Sequence, residues 1–362
     1  MKIVTVVGAR PQFIKAAAVS RVLRQAHQEI LVHTGQHYDA NMSDVFFDEL
    51  HIPHPDYALG VGSGSHGRQT GEMLAKVEDV LLQEKPDAVL VYGDTNSTLA
   101  GALAASKLCI PVAHVEAGLR SFNRTMPEEQ NRILTDHIST LLFAPTVTAA
   151  DHLHDEGITQ GVEMVGDVMC DALYYYRDLA EQSCAETGLS QLDDLFPHSP
   201  EIEEKWILAT IHRAENTDGI QNLSQILAAF EQLPVPVIFP VHPRTIGLVR
   251  TLWRRENYHN IRFVQPVGYL HMLWLAGHAR RIITDSGGLQ KEAYLLEVPC
   301  VTVREQTEWV ETVESGWNTL AHANTADILV KAGTLTPTGD HPALYGDGHA
   351  AEKITQSLGR LA

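Results

Sequence analysis

The sequence holds no apolar run long enough to span a bilayer, so no membrane-spanning helix is expected. Positive charge is scarce. Lys and Arg number 27 against 45 Asp and Glu, a formal net charge of −18 with histidine neutral. That balance argues against a nucleic-acid partner, which needs a basic face. It also means that an anionic ligand must be held by a local cluster of cations. Cysteine is rare: Cys109, Cys170, Cys184 and Cys300 are far apart, with no C-x-x-C pair. Buried thiols in a reducing cytoplasm are expected, not a disulfide framework. There is no Walker lysine loop, no short-period repeat and no low-complexity tail. The N-terminus starts directly on a strand pattern, so no signal peptide is expected.

What is present is a repeated alternation of strand and helix over 362 residues, too many for one ordinary core. The alternation predicts an α/β protein of two Rossmann-like domains facing a central cleft. The expected division is 1–168 and 169–345, with 346–362 as a C-terminal helix packing back on the first domain. Strands are read at 2–7, 88–92, 141–144 and 163–165 in the first half. Thr70 to Glu84 reads as an amphipathic helix, and an Ala-rich buried helix follows the strand at 88–92. The polar, acidic stretch from Ser183 to Lys205 is the expected region of low order between the halves. The second half restarts at Trp206–Thr210 and continues through Val237–Phe239 and around 263, 281 and 300.

The second half is organised around Thr284-Asp285-Ser286-Gly287-Gly288-Leu289-Gln290-Lys291-Glu292. A short apolar run, Arg281-Ile282-Ile283, reads as a buried parallel strand before it, and Lys291 to Leu296 reads as a helix after it. Ser286, Gly287 and Gly288 then lie in the turn. Two glycines let backbone N–H groups approach a ligand, and a helix N-terminus favours negative charge. The turn is a candidate diphosphate cradle, with Glu292 one helical turn on and able to reach ribose hydroxyls. Taken alone, the same motif is equally a plain βα turn. Further cations stand at other strand ends: Arg10 and Lys15 after the first strand, His212 and Arg213 after the strand at 206–210, and His242 after the strand at 237–239. For Lys15 by itself a solvated surface position explains as much.

Two patterns are set aside. Gly62-Ser63-Gly64-Ser65-His66-Gly67 matches G-x-G-x-x-G, but the segment from His51 to Leu59 carries two prolines and is not expected to be a strand. The dinucleotide context is missing, and bound NAD is not expected. His33 and His37 are four apart, yet Gly35 breaks any helix between them and no third ligand follows, so no zinc is expected.

Three acids fall at the edge where open α/β sheets bind ligands. Asp94 follows the strand at 88–92, Glu116 follows Val112-Ala113-His114-Val115, and Glu128 opens the helix begun by Pro127. Capping of helices explains any one of them, and three less easily. A phosphate cradle with several carboxylates fits a nucleoside-diphosphate sugar. Two reactions compete. Glycosyl transfer needs leaving-group help and one base. Epimerisation by elimination needs leaving-group help and acid/base groups around the sugar. A sugar C2–H becomes labile only as the C1–O bond breaks, so both the diphosphate and a nearby carboxylate matter. The excess of acids modestly favours elimination.

The motifs Gly8-Ala9-Arg10-Pro11, Gly93-Asp94-Thr95, His114-Val115-Glu116-Ala117-Gly118-Leu119-Arg120, Pro127-Glu128-Glu129, His212-Arg213, Asp285-Ser286-Gly287-Gly288 and Tyr345-Gly346-Asp347-Gly348 run nearly end to end. In order and spacing the chain resembles the non-hydrolysing UDP-N-acetylglucosamine 2-epimerases, which have the two-domain GT-B fold. The resemblance implies reversible C2 inversion by anti elimination of UDP and re-addition through a 2-acetamidoglucal intermediate, for surface polysaccharide synthesis. It implies catalytic roles for Asp94, Glu116 and Glu128, and for His212 at the leaving UDP. Arg10, Lys15, Ser286, Gly287, Gly288 and Glu292 match UDP-binding positions, and Arg213 and His242 are taken as substrate-binding with them. No metal or redox cofactor is implied, and a cytoplasmic homodimer is. A hydrolysing 2-epimerase is the nearest alternative, then a GT-B glycosyltransferase, then a non-catalytic nucleotide-sugar sensor.

Two departures bear on the substrate. Thr307-Glu308-Trp309-Val310-Glu311 stands where the common form has Thr-Glu-Arg-Pro-Glu. With residues 8–15 this looks more like the branch acting on UDP-2,3-diacetamido-2,3-dideoxy-glucuronic acid. Gln36-His37-Tyr38-Asp39-Ala40-Asn41-Met42 replaces a shorter stretch tied to allosteric activation by UDP-GlcNAc. The substrate thus stays open between UDP-GlcNAc and the diacetamido uronic acid sugar.

Overall fold

The computed structural model describes residues 1–36, 51–202, 205–256, 258–337 and 339–361; the Arg10 side chain, His37 and the departure through Met42 lie outside the described residues. The chain divides into two compact units, Met1–Tyr174 with Ala343–Ala362, and Tyr175–Pro342.

The first unit is built on a parallel sheet of β1 (Lys2–Val7), β2 (Gln28–His33), β3 (Tyr57–Ala58), β4 (Ala88–Tyr92), β5 (Val112–Val115), β6 (Leu141–Ala144) and β7 (Val162–Met164). Their order is β3-β2-β1-β4-β5-β6-β7. Every residue of β4 and β5 is buried. Unalternating apolar strands of this kind need cover on both faces. The helices are α1 (Arg10–Ala26), α2 (His66–Glu84), α3 (Asn96–Lys107), α4 (Pro127–Ile138), α5 (Val147–Asp155) and the start of α6 (Val168–Cys184). In α3 the small residues let the helix lie close to β1: a Cβ at Gly101 would come within 3.2 Å of the Val6 side chain.

Two local expectations change here. Tyr57 and Ala58 do form a strand, paired with Val32 and His33. It starts only after Pro55, so the proline rule holds for the rest of that segment. Helix α2 begins at His66 rather than Thr70, with Ser65 as its N-cap, so the glycine-rich stretch is the lead-in to a helix.

The second unit has β8 (Ile207–Thr210), β9 (Val237–Pro240), β10 (Ile261–Val264), β11 (Arg281–Thr284), β12 (Cys300–Val303) and β13 (Asn318–Ala321). The order is β10-β9-β8-β11-β12-β13, again parallel. Around it lie α7 (Ala214–Thr217), α8 (Ile220–Glu231), α9 (Ile246–Trp253), α10 (Tyr269–His278), α11 (Gly287–Leu295), α12 (Val310–Glu314) and α13 (Thr325–Thr334). The stretch expected to be of low order is instead packed on this sheet through its described residues. Leu195 N donates to the Phe263 carbonyl at 2.9 Å, and the Phe196 ring stacks on Trp253 at 4.6 Å. Three apolar anchors, Leu192, Leu195 and Phe196, hold a stretch whose mean composition is polar.

The last α-helix, α14 (Ala350–Leu358), packs on α1 within the first unit. The Tyr-Gly-Asp-Gly motif leads into it. Gly346 has φ +97°, and a Cβ there would lie 3.1 Å from the Gly166 Cα, so the return segment meets the first unit backbone to backbone. Asp171 on α6 then accepts from the first amides of α14, Ala350 N at 3.2 Å and Ala351 N at 2.8 Å. These are donors that the helix itself leaves unpaired. Replacing Asp171 with Ala should cost about 1 kcal/mol, the usual loss for a helix cap. Urea titration should read the loss, and hydrogen exchange should place the added opening in 350–358. An unchanged exchange pattern there would count against the cap.

Candidate active site

In each sheet the strand order reverses direction once, between β1 and β4 in the first and between β8 and β11 in the second. The carboxyl ends beside such a reversal form the natural ligand crevice of an open α/β sheet. The candidate residues gather at these two places.

In the first unit, Gln12 locks the turn after β1 to the end of β4. Its Oε1 accepts from Gly8 N at 2.8 Å and Ala9 N at 3.0 Å, and its Nε2 donates to the Tyr92 carbonyl at 2.7 Å. Gly93 follows with φ +64°, and Asp94 comes next, half-buried. Asp94 does not cap the helix, as one reading of the sequence allowed; Thr95 does. Asp94 Oδ2 instead takes two bonds from Arg132, Nε at 3.0 Å and Nη2 at 2.7 Å. Glu116, one residue past β5, is buried and sits at φ +69°, a left-handed conformation that a glutamate rarely adopts. Its Oε2 is paired with Lys15 Nζ on α1. Burial alone lowers the Lys15 ammonium, but Glu116 beside it, with Asp167 and Asp94, holds it above its ordinary value. A Cβ at Gly93 would lie 3.3 Å from Glu116 Oε2 and 3.6 Å from Lys15 Nζ, so the ion pair fills the space over this glycine.

Behind the turn, His114 is fixed at both ring nitrogens, to the Gly93 carbonyl at 2.7 Å and to Asp136 Oδ1 at 2.7 Å. Burial pushes the Asp136 carboxyl up, but His114 and Arg120 outweigh it and hold it below its ordinary value. The acids at the head of α4 divide. Glu128 is exposed, and among the described residues no hydrogen bond or ion pair holds it. Glu129 is buried and accepts from Ser121 N, Ser121 Oγ, Phe122 N and Arg132 Nη1 at 2.7–2.9 Å.

In the second unit the centre is Asp285, wholly buried at the end of β11. It accepts from His212 N at 3.0 Å, Arg213 N at 2.9 Å and Asn216 Nδ2 at 3.0 Å, which shapes the turn after β8. The His212 ring stacks on His242 with centroids 5.3 Å apart. Ser286 is the N-cap of α11, and Gly287 and Gly288 are its first two residues rather than a preceding turn. Neither glycine needs a positive φ. Gly287 lies close under Glu308, and a Cβ there would make the Glu308 carboxylate shift. Glu308 accepts from Arg304 Nη1 at 2.7 Å and lies 3.8 Å from Arg213 Nη2. Burial raises its carboxyl, but its own backbone amide and the two arginines bring it below its ordinary value. Glu292, on the next turn of α11, accepts from the Tyr269 hydroxyl at 3.2 Å. At the departure from the common motif, Lys291 Nζ sits 4.4 Å from the Trp309 ring centroid.

The structure thus gathers Asp94, Glu116 and Lys15 around Gly93, and His212, Arg213 and His242 around Asp285 and the head of α11. Among the described residues no hydrogen bond or ion pair ties Glu128 to the first cluster, and Glu292 accepts from Tyr269. Sequence reading passed over Arg304 and gave Arg132 no role. It quoted His114, Arg120, Glu129, Asp285 and Glu308 only as parts of motifs. Their signal was their place inside those motifs; what they bond to is a tertiary fact.

The family model described as UDP-N-acetylglucosamine 2-epimerase matches residues 21–359. A UDP-N-acetylglucosamine 2-epimerase homolog of Methanococcus maripaludis is 54% identical over 365 residues, covering 100% of both chains. The UDP-2,3-diacetamido-2,3-dideoxy-D-glucuronate 2-epimerase of Pseudomonas aeruginosa is 49% identical over 373 residues, again covering 100% of both. Among solved structures, the UDP-GlcNAc 2-epimerase of Methanocaldococcus jannaschii, in complex with UDP-GlcNAc and UDP, superposes with a TM-score of 0.84 at 42% identity. That match covers 99% of this chain and 100% of the other. The two parallel-sheet α/β units are those of the GT-B fold seen in such structures.

Glu129 generates a pH prediction. Burial raises its carboxyl, but the Ser121, Arg132 and Phe122 donors bond the ionised form and hold it below the ordinary 4.5. A depressed carboxyl stabilises the fold above its unfolded value and loses that contribution as pH falls through its folded value. Glu129→Gln should therefore destabilise by about 2 kcal/mol near neutral pH, the scale of hydrogen bonds to a charged group. The gap to the parent should close in acid below the ordinary glutamate value. Denaturant titrations across that range check it, and a pH-independent gap would contradict it.

Proposed function

The chain belongs to the UDP-N-acetylglucosamine 2-epimerase family, and from that premise we propose that it reversibly inverts C2 of a UDP-linked N-acetyl sugar by eliminating and re-adding UDP. The head of α11 receives the diphosphate: Ser286, Gly287 and Gly288 offer backbone N–H groups at the positive end of a helix dipole. His212, Arg213 and His242 stand at the same strand ends and stabilise charge as the C1–O bond breaks. Arg10 joins them in binding, and Glu292 reaches the ribose. Asp94 and Glu116 handle the protons at the sugar, with Glu128 as the third acid. The observation that carries elimination over transfer is the pair of strand-end carboxylates, Asp94 and Glu116, each paired with a cation. A transferase needs one base; inversion at C2 needs proton removal and return.

Two substrates fit, UDP-GlcNAc and UDP-2,3-diacetamido-2,3-dideoxy-glucuronic acid, and Trp309 favours the second. A cytoplasmic homodimer serving surface polysaccharide synthesis belongs to the same proposal and rests on the family resemblance. Incubation with each sugar in D₂O, followed by NMR, should put deuterium at C2 of a nucleotide-linked manno product. Asp94→Asn and Glu116→Gln should each slow that exchange by roughly 100-fold or more, the usual weight of a general acid or base. Free sugar and UDP as the main products would mean hydrolysis instead. No exchange with either sugar would remove elimination for these substrates.

A further inference from the structure

The head of α11, read above as the place of an anion, already has an anion beside it. Glu308, on the loop after β12, lies close over Gly287 with its side chain 45% exposed. We propose that Glu308 is a specificity-determining residue that reads the sugar: one of its carboxylate oxygens accepts from O–H or N–H donors on the ring that the diphosphate carries. The inference rests on the reading of the head of α11 as the diphosphate's place.

The two oxygens of this carboxylate are used differently. Oε2 accepts from Arg304 Nη1 at 2.7 Å. Arg304 is itself nearly out of solvent, with Glu215 3.9 Å away on another side, so the carboxyl group has a firm anchor. Oε1 has Arg213 Nη2 at 3.8 Å, beyond hydrogen-bond reach. Among the described residues no hydrogen bond from another residue reaches Oε1, and it is this oxygen that lies over Gly287. Burial raises the carboxyl, but its own amide and the two arginines outweigh burial, so the group stands ionised at neutral pH. An ionised carboxylate oxygen only accepts. Beside phosphates it also repels, so it weakens the hold on a diphosphate unless the ligand brings donors of its own. Both candidate sugars bring them, as ring hydroxyls and acetamido N–H groups.

Topology agrees. Strand β11 lies between β8 and β12. Glu292 accepts from Tyr269, whose helix α10 follows β10, on the β8 side of β11. Glu308 follows β12, on the other side. The two glutamates therefore flank the head of α11 from opposite directions along the sheet. With Glu292 at the ribose, the diphosphate crosses the helix head and its sugar leaves on the flank of Glu308.

The test compares Glu308→Gln and Glu308→Asp with the parent, all three carrying Asp94→Asn so that turnover does not blur binding. Calorimetry gives the dissociation constants for UDP, for UDP-GlcNAc and for the UDP-linked diacetamido uronic acid. Glu308→Gln should weaken the UDP-sugar that the parent binds by about tenfold or more, the scale of one hydrogen bond to a charged group. UDP itself should bind as tightly as before, or more tightly once the neighbouring charge is gone. Glu308→Asp keeps the charge but draws it back by one methylene, and should show the same selective loss. If UDP and UDP-sugar move together, in either direction, Glu308 acts on the phosphates, directly or by holding Arg213, and the inference is overturned. If neither moves, Glu308 is only the partner of Arg304, and the inference is overturned as well. Parent-like sugar binding in Glu308→Asp would show that charge suffices without contact, again against it. If the parent binds neither UDP nor a UDP-sugar, the reading of the head of α11 fails first, and the inference falls with it.

Discussion

Parallel sheets leave polar backbone groups at the carboxyl ends of their strands, in places where water is scarce, and each must find a partner. In this protein side chains meet that demand. Gln12 serves two amides after β1 and the carbonyl that ends β4. His114 donates to the Gly93 carbonyl. Asp285 takes the amides of His212 and Arg213. None of these three is asked to touch a substrate, yet each fixes a turn that carries groups proposed to do so. The candidate site is therefore a by-product of satisfying the sheet ends, with reactive groups mounted on turns that packing has already made rigid.

Charge follows the same economy. The chain is strongly acidic as a whole, but several of its carboxylates are matched locally. Asp94 has Arg132, Glu116 has Lys15, Asp136 has Arg120, and Glu308 has Arg304. Arginine takes the positions where two acceptors must be bridged, as Arg132 does between Asp94 and Glu129, which suits a planar fork of donors. Lysine takes an enclosed position beside Glu116, where a compact charge faces a single oxygen. An acidic protein can thus prepare anion-binding places without a basic surface.

Much of this was legible beforehand. The strands at 88–92 and 141–144 declare themselves because buried parallel strands are short apolar runs bounded by turn residues. The acids at 94 and 116 stand out because they follow such runs. What sequence could not supply was pairing. Lys15 and Glu116 are 101 positions apart, and no local pattern ties a lysine on one helix to a glutamate beyond a distant strand. The residues from 183 onward misled for another reason: their average is polar, and a few apolar residues, Leu192, Leu195 and Phe196 among them, anchor them. Ser286 to Gly288 were placed in a turn because glycine lowers helix propensity, whereas a cap at Ser286 is enough to start the helix one residue later.

The first unit is discontinuous along the chain. Its last strand ends at Met164, but the helix that Asp171 caps lies 179 positions beyond that aspartate. On a ribosome the sheet of this unit is finished while the whole second unit is still unmade. For that interval α1 rests on the sheet but lacks α14, and the part of α1 that α14 will cover stays open to solvent or to other chains. Units of this kind do not mature in the order in which they are translated, because closure of the first waits for completion of the second. Vectorial synthesis therefore sets a window of exposure here that no local stability can shorten, and it is in that window that assistance from a chaperone would count most.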